Sequence, residues 1–336
     1  MTCFAGIQPG LTANRATHPQ PGDIPHPQTD TLLRFRHDNS ETFTISRLPT
    51  RLPRMSRKPA LPDDWSGSSV PPIDGIRVGV GGWTYAPWRS NFYPPGLVQR
   101  RELEYASRHL SAIEINGTYY GAQRPATYAK WASETPEGFV FSLKAPMRIM
   151  QSRVLANTGA QIEDFLGGIA SLGDRLGPVV WQFDIGRKLE REDFTAFLDL
   201  LPDEVDGRRM RHVLDVRDSS FVDARFIALM RARKLGTVFT DSRDYPSFAD
   251  LTTDFVYARL MRSRSEIETG YTHEELAHWT SRARQWARGQ HPDDLPYIAV
   301  NGSPPAESRD VYVFFISAAK ERNPAAAMAL IRQLRS

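Results

Sequence analysis

Charged and polar residues occur two positions apart in short segments that are otherwise apolar. Glu114 and Asn116 form one such pair, and Asp215 and Arg217 form another. Because successive side chains of a β-strand point to opposite faces, each pair would lie on a single face of its strand. Carboxylates so placed act as general bases or bind hard metal ions, and guanidinium groups bind anions. The spacing therefore predicts a polar surface that binds and transforms a charged substrate.

The same alternation continues in four further segments. Lys144, Gln182 and Arg259 each lie between apolar neighbours, and Asp241 ends a β-rich run. Unpaired charges are costly to bury, so the cations are expected to balance the carboxylates. The catalytic candidates are Glu114, Lys144, Asp215 and Asp241. The substrate-binding candidates of this group are Asn116, Gln182, Arg217 and Arg259. A purely structural ion-pair network that fixes strand register is the alternative.

Aromatic residues lie at or just after the ends of the first two β-rich segments of the chain. Trp83 closes the first and Tyr85 follows it, and Tyr119 and Tyr120 follow the second, which contains Glu114. Such rings stack on sugars or bases, although each is also able to pack in the core or within a loop. We add these four residues to the substrate-binding candidates, and we expect Trp83 and Tyr119 to form part of the pocket wall.

The elements that position these residues repeat along the chain. Eight β-rich segments alternate with amphipathic, helix-favouring stretches, which is typical of βα units around a parallel sheet. The predicted strands are residues 76–83, 112–117, 139–145, 179–183, 212–218, 236–242, 255–261 and 311–317. The predicted helices are residues 98–109, 125–134, 161–176, 190–201, 221–235, 272–289 and 323–334. The sixth connection, near residues 246–250, is too short for a helix and is predicted to be irregular.

This pattern predicts an α/β fold, a (β/α)8 barrel of the TIM type, as a single domain over residues 73–336. In such barrels the carboxyl ends of the strands carry the active site, and most of the candidates fall late in their strands. An open dinucleotide-binding sheet is not favoured, because the glycines at positions 79, 81 and 82 lead into Trp83 without a G-x-G-x-x-G motif. No nicotinamide or flavin site is therefore expected.

The first 72 residues differ from the rest of the chain. Eleven of the 25 prolines precede residue 76, and the apolar residues there are sparse and aperiodic. We therefore expect residues 1–72 to be a disordered, proline-rich extension. Met55 is a plausible alternative start codon, which leaves open whether residues 1–54 are translated.

Composition limits the classes of partner. The formal net charge is +3 over 336 residues, which is too small to indicate nucleic-acid binding without a local cluster. The single cysteine permits no internal disulfide, and no stretch approaches 18 apolar residues. We expect a cytoplasmic protein that has no membrane partner, and its oligomeric state is left open.

Several linked motifs resemble one known family. Residues 81–85 (GGWTY), 113–120 (IEINGTYY), 141–144 (FSLK), 215–217 (DVR) and 257–260 (YARL) occur in the order found in the YecE-like family, domain of unknown function 72. The resemblance extends from about residue 77 to residue 334 and implies a barrel fold. The family commonly has Glu where this chain has Asp215, and two asparagines near Ile316 and Ser317.

Four functional hypotheses follow from the candidates. The first is a hydrolase acting on a phosphate-containing or nucleic-acid-like substrate, in which Lys144, Arg217 and Arg259 hold the anion. Its cofactor is unknown; carboxylates suit Mg2+, whereas the scarcity of histidines at strand ends disfavours a zinc cluster, and no residue is assigned as a metal ligand. The second is a glycosidase-like enzyme with paired carboxylates.

The other two hypotheses concern Lys144 and binding without turnover. Lys144 could form a Schiff base, but neighbouring carboxylates are expected to raise the pKa of its amine. A non-catalytic protein that binds an anionic small molecule would use the same pocket. The sequence leaves these alternatives open.

Overall fold

A computed structural model describes residues 69–305 and 308–336. Most of the predicted extension over residues 1–72, namely residues 1–68, therefore lies outside the described residues. Within the described part, Val70 already packs against the hydrophobic core. No helix in these two ranges is both long enough and apolar enough to cross a membrane.

Eight parallel strands close a barrel, as the alternation of segments predicts. The strands are β1 (Ile76–Gly81), β2 (Ala112–Ile115), β3 (Val140–Lys144), β4 (Leu176–Phe183), β5 (His212–Val216), β6 (Gly236–Thr240), β7 (Phe255–Leu260) and β8 (Asp310–Phe315). Each strand pairs with the strands before and after it in sequence, and β8 pairs with β1. The (β/α)8 prediction is confirmed.

Helices surround the barrel on the connections between strands. They are α1 (Glu102–His109), α2 (Pro125–Ser133), α3 (Met147–Met150), α4 (Gly159–Ile169), α5 (Arg191–Leu198), α6 (Ala224–Ala232), α7 (His273–Ala287) and α8 (Asn323–Arg335). The connection from β6 to β7 contains no helix, as its short length predicts. A hairpin of Glu204–Val205 and Arg208–Arg209 precedes β5.

The bounds predicted for the third helix differ most clearly from those in the structure. Residues 161–176 were expected to be one helix, but α4 ends at Ile169 and a 3-10 turn, Ala170–Arg175, follows it. Gly173 has φ 58° and ψ −132°, a conformation that no helix contains. The backbone therefore turns there, and β4 begins already at Leu176.

The core consists of two layers that the strand alternation separates. Ile113, Leu214 and Ala258 belong to the layer between the barrel and the helices. Val213 and Tyr257 belong to a smaller cluster inside the barrel. The period of two thus directs the residues between Ile113 and Ile115, or between Leu214 and Val216, towards the barrel axis.

A buried histidine lies at the start of β5. Nδ1 of His212 accepts a hydrogen bond from Nε1 of Trp181 at 3.0 Å, so the ring proton is on Nε2, which donates to the carbonyl oxygen of Pro202 at 2.8 Å. Burial lowers the pKa of His212 to about 4. The imidazole is therefore neutral in the folded state and gains its charge only on unfolding or in acid.

We expect His212 to make the folded state sensitive to mild acid. Below its unfolded pKa of about 6.5 the unfolded chain binds a proton that the folded chain does not, so the stabilisation present at pH 7 falls towards pH 4. From pH 7 to pH 5 the native protein should lose about 2 kcal/mol more unfolding free energy than His212→Gln. Urea titrations measure this difference. The exposed His278→Gln control should behave like the native protein, and equal pH dependence in all three proteins would contradict the assignment.

Candidate active site

Arg259 joins two carboxylates inside the barrel. Its Nε donates to Oε2 of Glu114 at 2.8 Å, and Nη1 donates to Oδ2 of Asp215. Glu114 is 0 % exposed and Arg259 2 % exposed. All three residues are penultimate in their strands, β2, β5 and β7, so the pairings fall near the carboxyl end of the barrel.

A tyrosine fixes the orientation of Glu114. The hydroxyl of Tyr257 donates to Oε2 of Glu114 at 2.6 Å and lies 2.7 Å from Oγ of Ser142. Burial raises the pKa of Tyr257 well above its ordinary value, and the charge of Glu114 adds to the effect, so the phenol keeps its proton. Oε1 of Glu114 and Nη2 of Arg259 are buried and have no hydrogen-bond partner among the described residues. Both atoms therefore keep an unused capacity for hydrogen bonding inside the barrel.

Asp215 is held by two arginines through one oxygen. Nε and Nη2 of Arg217 both lie 3.1 Å from Oδ2 of Asp215, the oxygen that Arg259 also binds. Arg217 also packs over the ring of Tyr245, with its central carbon 4.4 Å from the ring centroid. No hydrogen bond to Oδ1 of Asp215 occurs within the described ranges. Oδ1 thus keeps its capacity to accept a hydrogen bond.

Lys144 ends β3 next to this group. Its amine lies 3.9 Å from the ring centroid of Tyr119 and forms no hydrogen bond or ion pair with any described residue. Burial lowers the pKa of Lys144 to about 8, the nearby Arg259 adds to this, and the opposing effect of Glu114 is smaller. The carboxylates act to raise this pKa, as expected, but burial and the charges of Arg259 and Arg217 outweigh them, so the net shift is downward.

A second set of hydrogen bonds fixes the ring of Tyr119, over which the amine of Lys144 lies. The hydroxyl of Tyr119 donates to Oδ2 of Asp184 at 3.0 Å and accepts from Nε2 of Gln151 at 3.3 Å. Gln182 donates through Nε2 to Oδ1 of the same Asp184, and its buried Oε1 has no partner in the described part of the chain. Gln182 therefore acts on the site through Asp184 and Tyr119.

Asp241 has different partners. Instead of pairing with Lys144, Arg217 or Arg259, it accepts hydrogen bonds from the backbone nitrogen of Met261 at 2.5 Å and from the hydroxyl of Tyr271 at 3.1 Å. Burial raises the pKa of Asp241. These contacts join the end of β6 to the loop after β7, so the structure assigns Asp241 a role in holding that loop.

The aromatic candidates border two cavities at the carboxyl ends of β1 to β3. Trp83 and Tyr85 line a cavity of about 340 Å3 together with Asn116. Tyr119 and Tyr120 line a neighbouring cavity of about 590 Å3, and Tyr120 is 82 % exposed. None of the charged residues Glu114, Lys144, Asp215, Arg217 and Arg259 lines either of these two cavities. No cluster of three histidine, cysteine or carboxylate side chains suited to a metal ion occurs in residues 69–305 and 308–336.

Three residues that contribute to the site or to the cavity beside it were not among the sequence-based candidates. Tyr257 and Ser142 alternate with apolar residues just as Arg259 and Lys144 do, so the period of two contained the signal for both. Lys320 lies after β8, with its amine 4.6 Å from the ring centroid of Tyr85. No strand periodicity reaches Lys320, and only the folded loop brings it to Tyr85.

The fold and this charged interior define a (β/α)8 barrel protein with a polar carboxyl-end site. A family model described as "Protein of unknown function DUF72" matches residues 77–336. The chain belongs to this family, for which YecE-like is another name, and the resemblance seen in the motifs is confirmed.

One relative matches a short part of this chain, and solved structures share its fold. UPF0759 protein YunF of Bacillus subtilis is 33% identical over 70 residues, a match that spans 21% of this chain and 24% of that protein. The crystal structure of a DUF72 family protein from Thermotoga maritima has a TM-score of 0.61 at 21% identity, covering 78% of this chain and 99% of the other. One from Enterococcus faecalis has a TM-score of 0.58 at 17% identity, covering 78% and 96%. At these identities the structures show the shared fold.

We expect Arg259 to be essential for stability in a way that a surface arginine is not. Removing one partner of a buried ion pair leaves an uncompensated charge, which costs about 3–5 kcal/mol. Here Glu114 loses the arginine that binds it, and Asp215 keeps Arg217 alone. Arg259→Met should therefore lower the unfolding free energy by at least about 3 kcal/mol. Arg209→Met, which breaks the exposed pair with Asp254, should cost below about 1 kcal/mol. Chemical denaturation at pH 7 measures both, and similar costs would contradict the central role of Arg259.

Proposed function

We propose that the protein is an enzyme that binds the phosphate group of a small substrate at the barrel mouth and hydrolyses the phosphate ester bond of that substrate. The supporting observation is the amine of Lys144, which lies over the ring of Tyr119, forms no hydrogen bond or ion pair with a described residue, and is close enough to Arg217 and Arg259 for their charges to lower its pKa. Lys144, Arg217 and Arg259 bring three positive charges against the two negative charges of Glu114 and Asp215. The net positive charge of this group favours an anionic ligand.

Asp215 is the proposed general base. Two arginines hold Oδ2, which fixes the carboxylate and leaves Oδ1 to accept a proton from the attacking water. The ammonium of Lys144, with a pKa of about 8, binds a phosphoryl oxygen and donates the proton that the leaving oxygen needs. Glu114 is bound by Tyr257 and Arg259, so its proposed role is to position Arg259.

Paired-carboxylate glycoside hydrolysis is less well supported. That chemistry requires two carboxyl groups on either side of the glycosidic bond, one of which donates a proton. Here Glu114 and Asp215 are joined by one buried guanidinium group, which occupies the space between their bound oxygens. Asp241, whose pKa is raised, is bonded to Met261 and Tyr271 instead. A phosphate-bearing substrate therefore remains the better proposal.

We expect sulfate binding to depend on the proton of Lys144. Sulfate keeps its charge between pH 7 and pH 9, whereas a lysine with a pKa of about 8 loses most of its charge, so affinity should fall about tenfold over this range. Lys144→Met should bind sulfate at least tenfold more weakly at pH 7 and lose the pH dependence. Lys130→Met, an exposed control on α2, should match the native protein. Isothermal titration calorimetry measures these affinities.

Unchanged sulfate affinity in Lys144→Met would contradict the proposed anion site. Turnover is tested separately by phosphate release from a panel of small phosphate esters. Asp215→Asn should abolish release while sulfate binding persists. Sulfate binding without release of phosphate from any ester would favour a non-catalytic binding protein.

A Schiff base on Lys144 is the second candidate, and the lowered pKa of Lys144 favours it. About a tenth of such an amine is neutral at pH 7, and its lone pair is able to add to a carbonyl carbon. The resulting carbinolamine loses the carbonyl oxygen as water to give the imine. Oδ1 of Asp215, which Arg217 and Arg259 leave unbound, is the proposed group that transfers the protons that this step requires.

Borohydride trapping with glyceraldehyde 3-phosphate tests this second candidate. If the imine forms, reduction should attach the triose to Lys144, and peptide mass spectrometry should detect at least tenfold more adduct there than on Lys320. Lys320 is the matched comparison, because burial lowers the pKa of its amine too, and no hydrogen bond or ion pair joins it to a described residue. Equal labelling of the two lysines would indicate ordinary lysine reactivity and contradict the Schiff-base role.

A further inference from the structure

The smaller aromatic cavity borders the backbone of Lys144 at the end of β3. Its wall is formed by residues 81–85 after β1 and residues 115–118 at the end of β2, with Gln123, Trp131 and Lys320. Thr118 lines the cavity and donates from Oγ1 to the carbonyl oxygen of Lys144 at 2.7 Å. Ile115 on β2 lies opposite Leu143 on β3, and Asn116 and Lys144 are the next residues along these two strands. The cavity and the proposed anion site are therefore neighbours on adjacent strand ends.

Several polar side-chain atoms that form no hydrogen bond within the described part of the chain surround this cavity. The indole nitrogens of Trp83 and Trp131, the hydroxyl of Tyr85, the amide of Asn116 and the amine of Lys320 form no hydrogen bond with any other residue that the structure describes. The rings themselves are fixed, since Trp83 and Trp131 pack edge to face at 5.0 Å. The wall thus combines rigid apolar surface with several unused hydrogen-bonding groups.

This combination matches the chemistry of a sugar. The C–H faces of a sugar ring pack on aromatic surface, and its hydroxyls bond to polar atoms at the edges of the same rings. A volume of about 340 Å3 lies at the lower end of ligand pockets, which suits a single small ring. The cavity wall contains no carboxylate and has Lys320 as its charged residue, so a cationic ligand is disfavoured.

We propose that this cavity binds the sugar ring of a monophosphorylated sugar whose phosphate contacts Lys144. The inference rests on the proposed phosphate site and specifies the substrate class of that site. Asn116 holds a hydroxyl close to the phosphate, and Tyr85 supports the ring from the side of Lys320. Gly117 contributes open space, because a Cβ atom built on it meets no other atom within 4 Å.

Calorimetry with ribose 5-phosphate and inorganic phosphate tests the proposal on the full chain. Ribose 5-phosphate should bind at least tenfold more tightly than inorganic phosphate. Asn116→Ala and Tyr85→Leu should each remove most of this gain and leave the affinity for inorganic phosphate unchanged. Tyr120→Leu, which alters the neighbouring cavity at an exposed position, should keep the full gain.

The outcomes separate the subsite from the phosphate site. Equal affinities for the two ligands would overturn the sugar subsite and leave the phosphate site intact. Loss of the gain in Tyr120→Leu, but not in Tyr85→Leu, would place the sugar in the other cavity and also overturn the proposal. Binding of neither ligand would overturn the phosphate site and the subsite together.

Discussion

The pairing of Arg259 with Glu114 and Asp215 is the constraint on which the site depends. One buried guanidinium group on β7 binds carboxylates on β2 and β5, so three strands are tied together across the barrel interior. Burying any one of these charges alone would be strongly unfavourable, and each is acceptable only because the others are in place. The polar interior is therefore a single unit, and its remaining free atoms are presented at fixed positions near the carboxyl end.

This arrangement explains why Lys144 differs from an ordinary surface lysine. The carboxylates that would otherwise stabilise its ammonium group are already bound by Arg259 and Arg217, so burial dominates and the pKa of Lys144 falls to about 8. Tyr119, held by Asp184 and Gln151, supports the amine without removing its hydrogen-bonding capacity. A group that is charged at neutral pH yet has no committed partner suits both anion binding and proton transfer.

Strand periodicity predicted the inward direction of Glu114, Asp215 and Arg259, because an exact period of two leaves no other face for them once the isoleucines and leucines take the helix side. It could not predict which inward residues meet. That depends on barrel shear and on loops, as for Asp241, whose partner Tyr271 lies beyond β7. Nor could it predict the direction in which the pKa of Lys144 shifts, because that shift results from competition between burial and four charges. It also missed the early end of α4, which is followed by a turn that contains the non-helical Gly173.

The central claim is that Lys144 has a lowered pKa and an amine that forms no hydrogen bond or ion pair with a described residue, so it is poised to bind an anion. A 13C NMR titration of the lysine ε-carbons, with Lys144→Arg to assign the resonance, measures its pKa directly in the presence and absence of sulfate. We predict a pKa of about 8 without sulfate and a clearly higher value with it, since a bound anion stabilises the ammonium form. A pKa near the ordinary lysine value of about 10.4 that sulfate does not change would contradict the account.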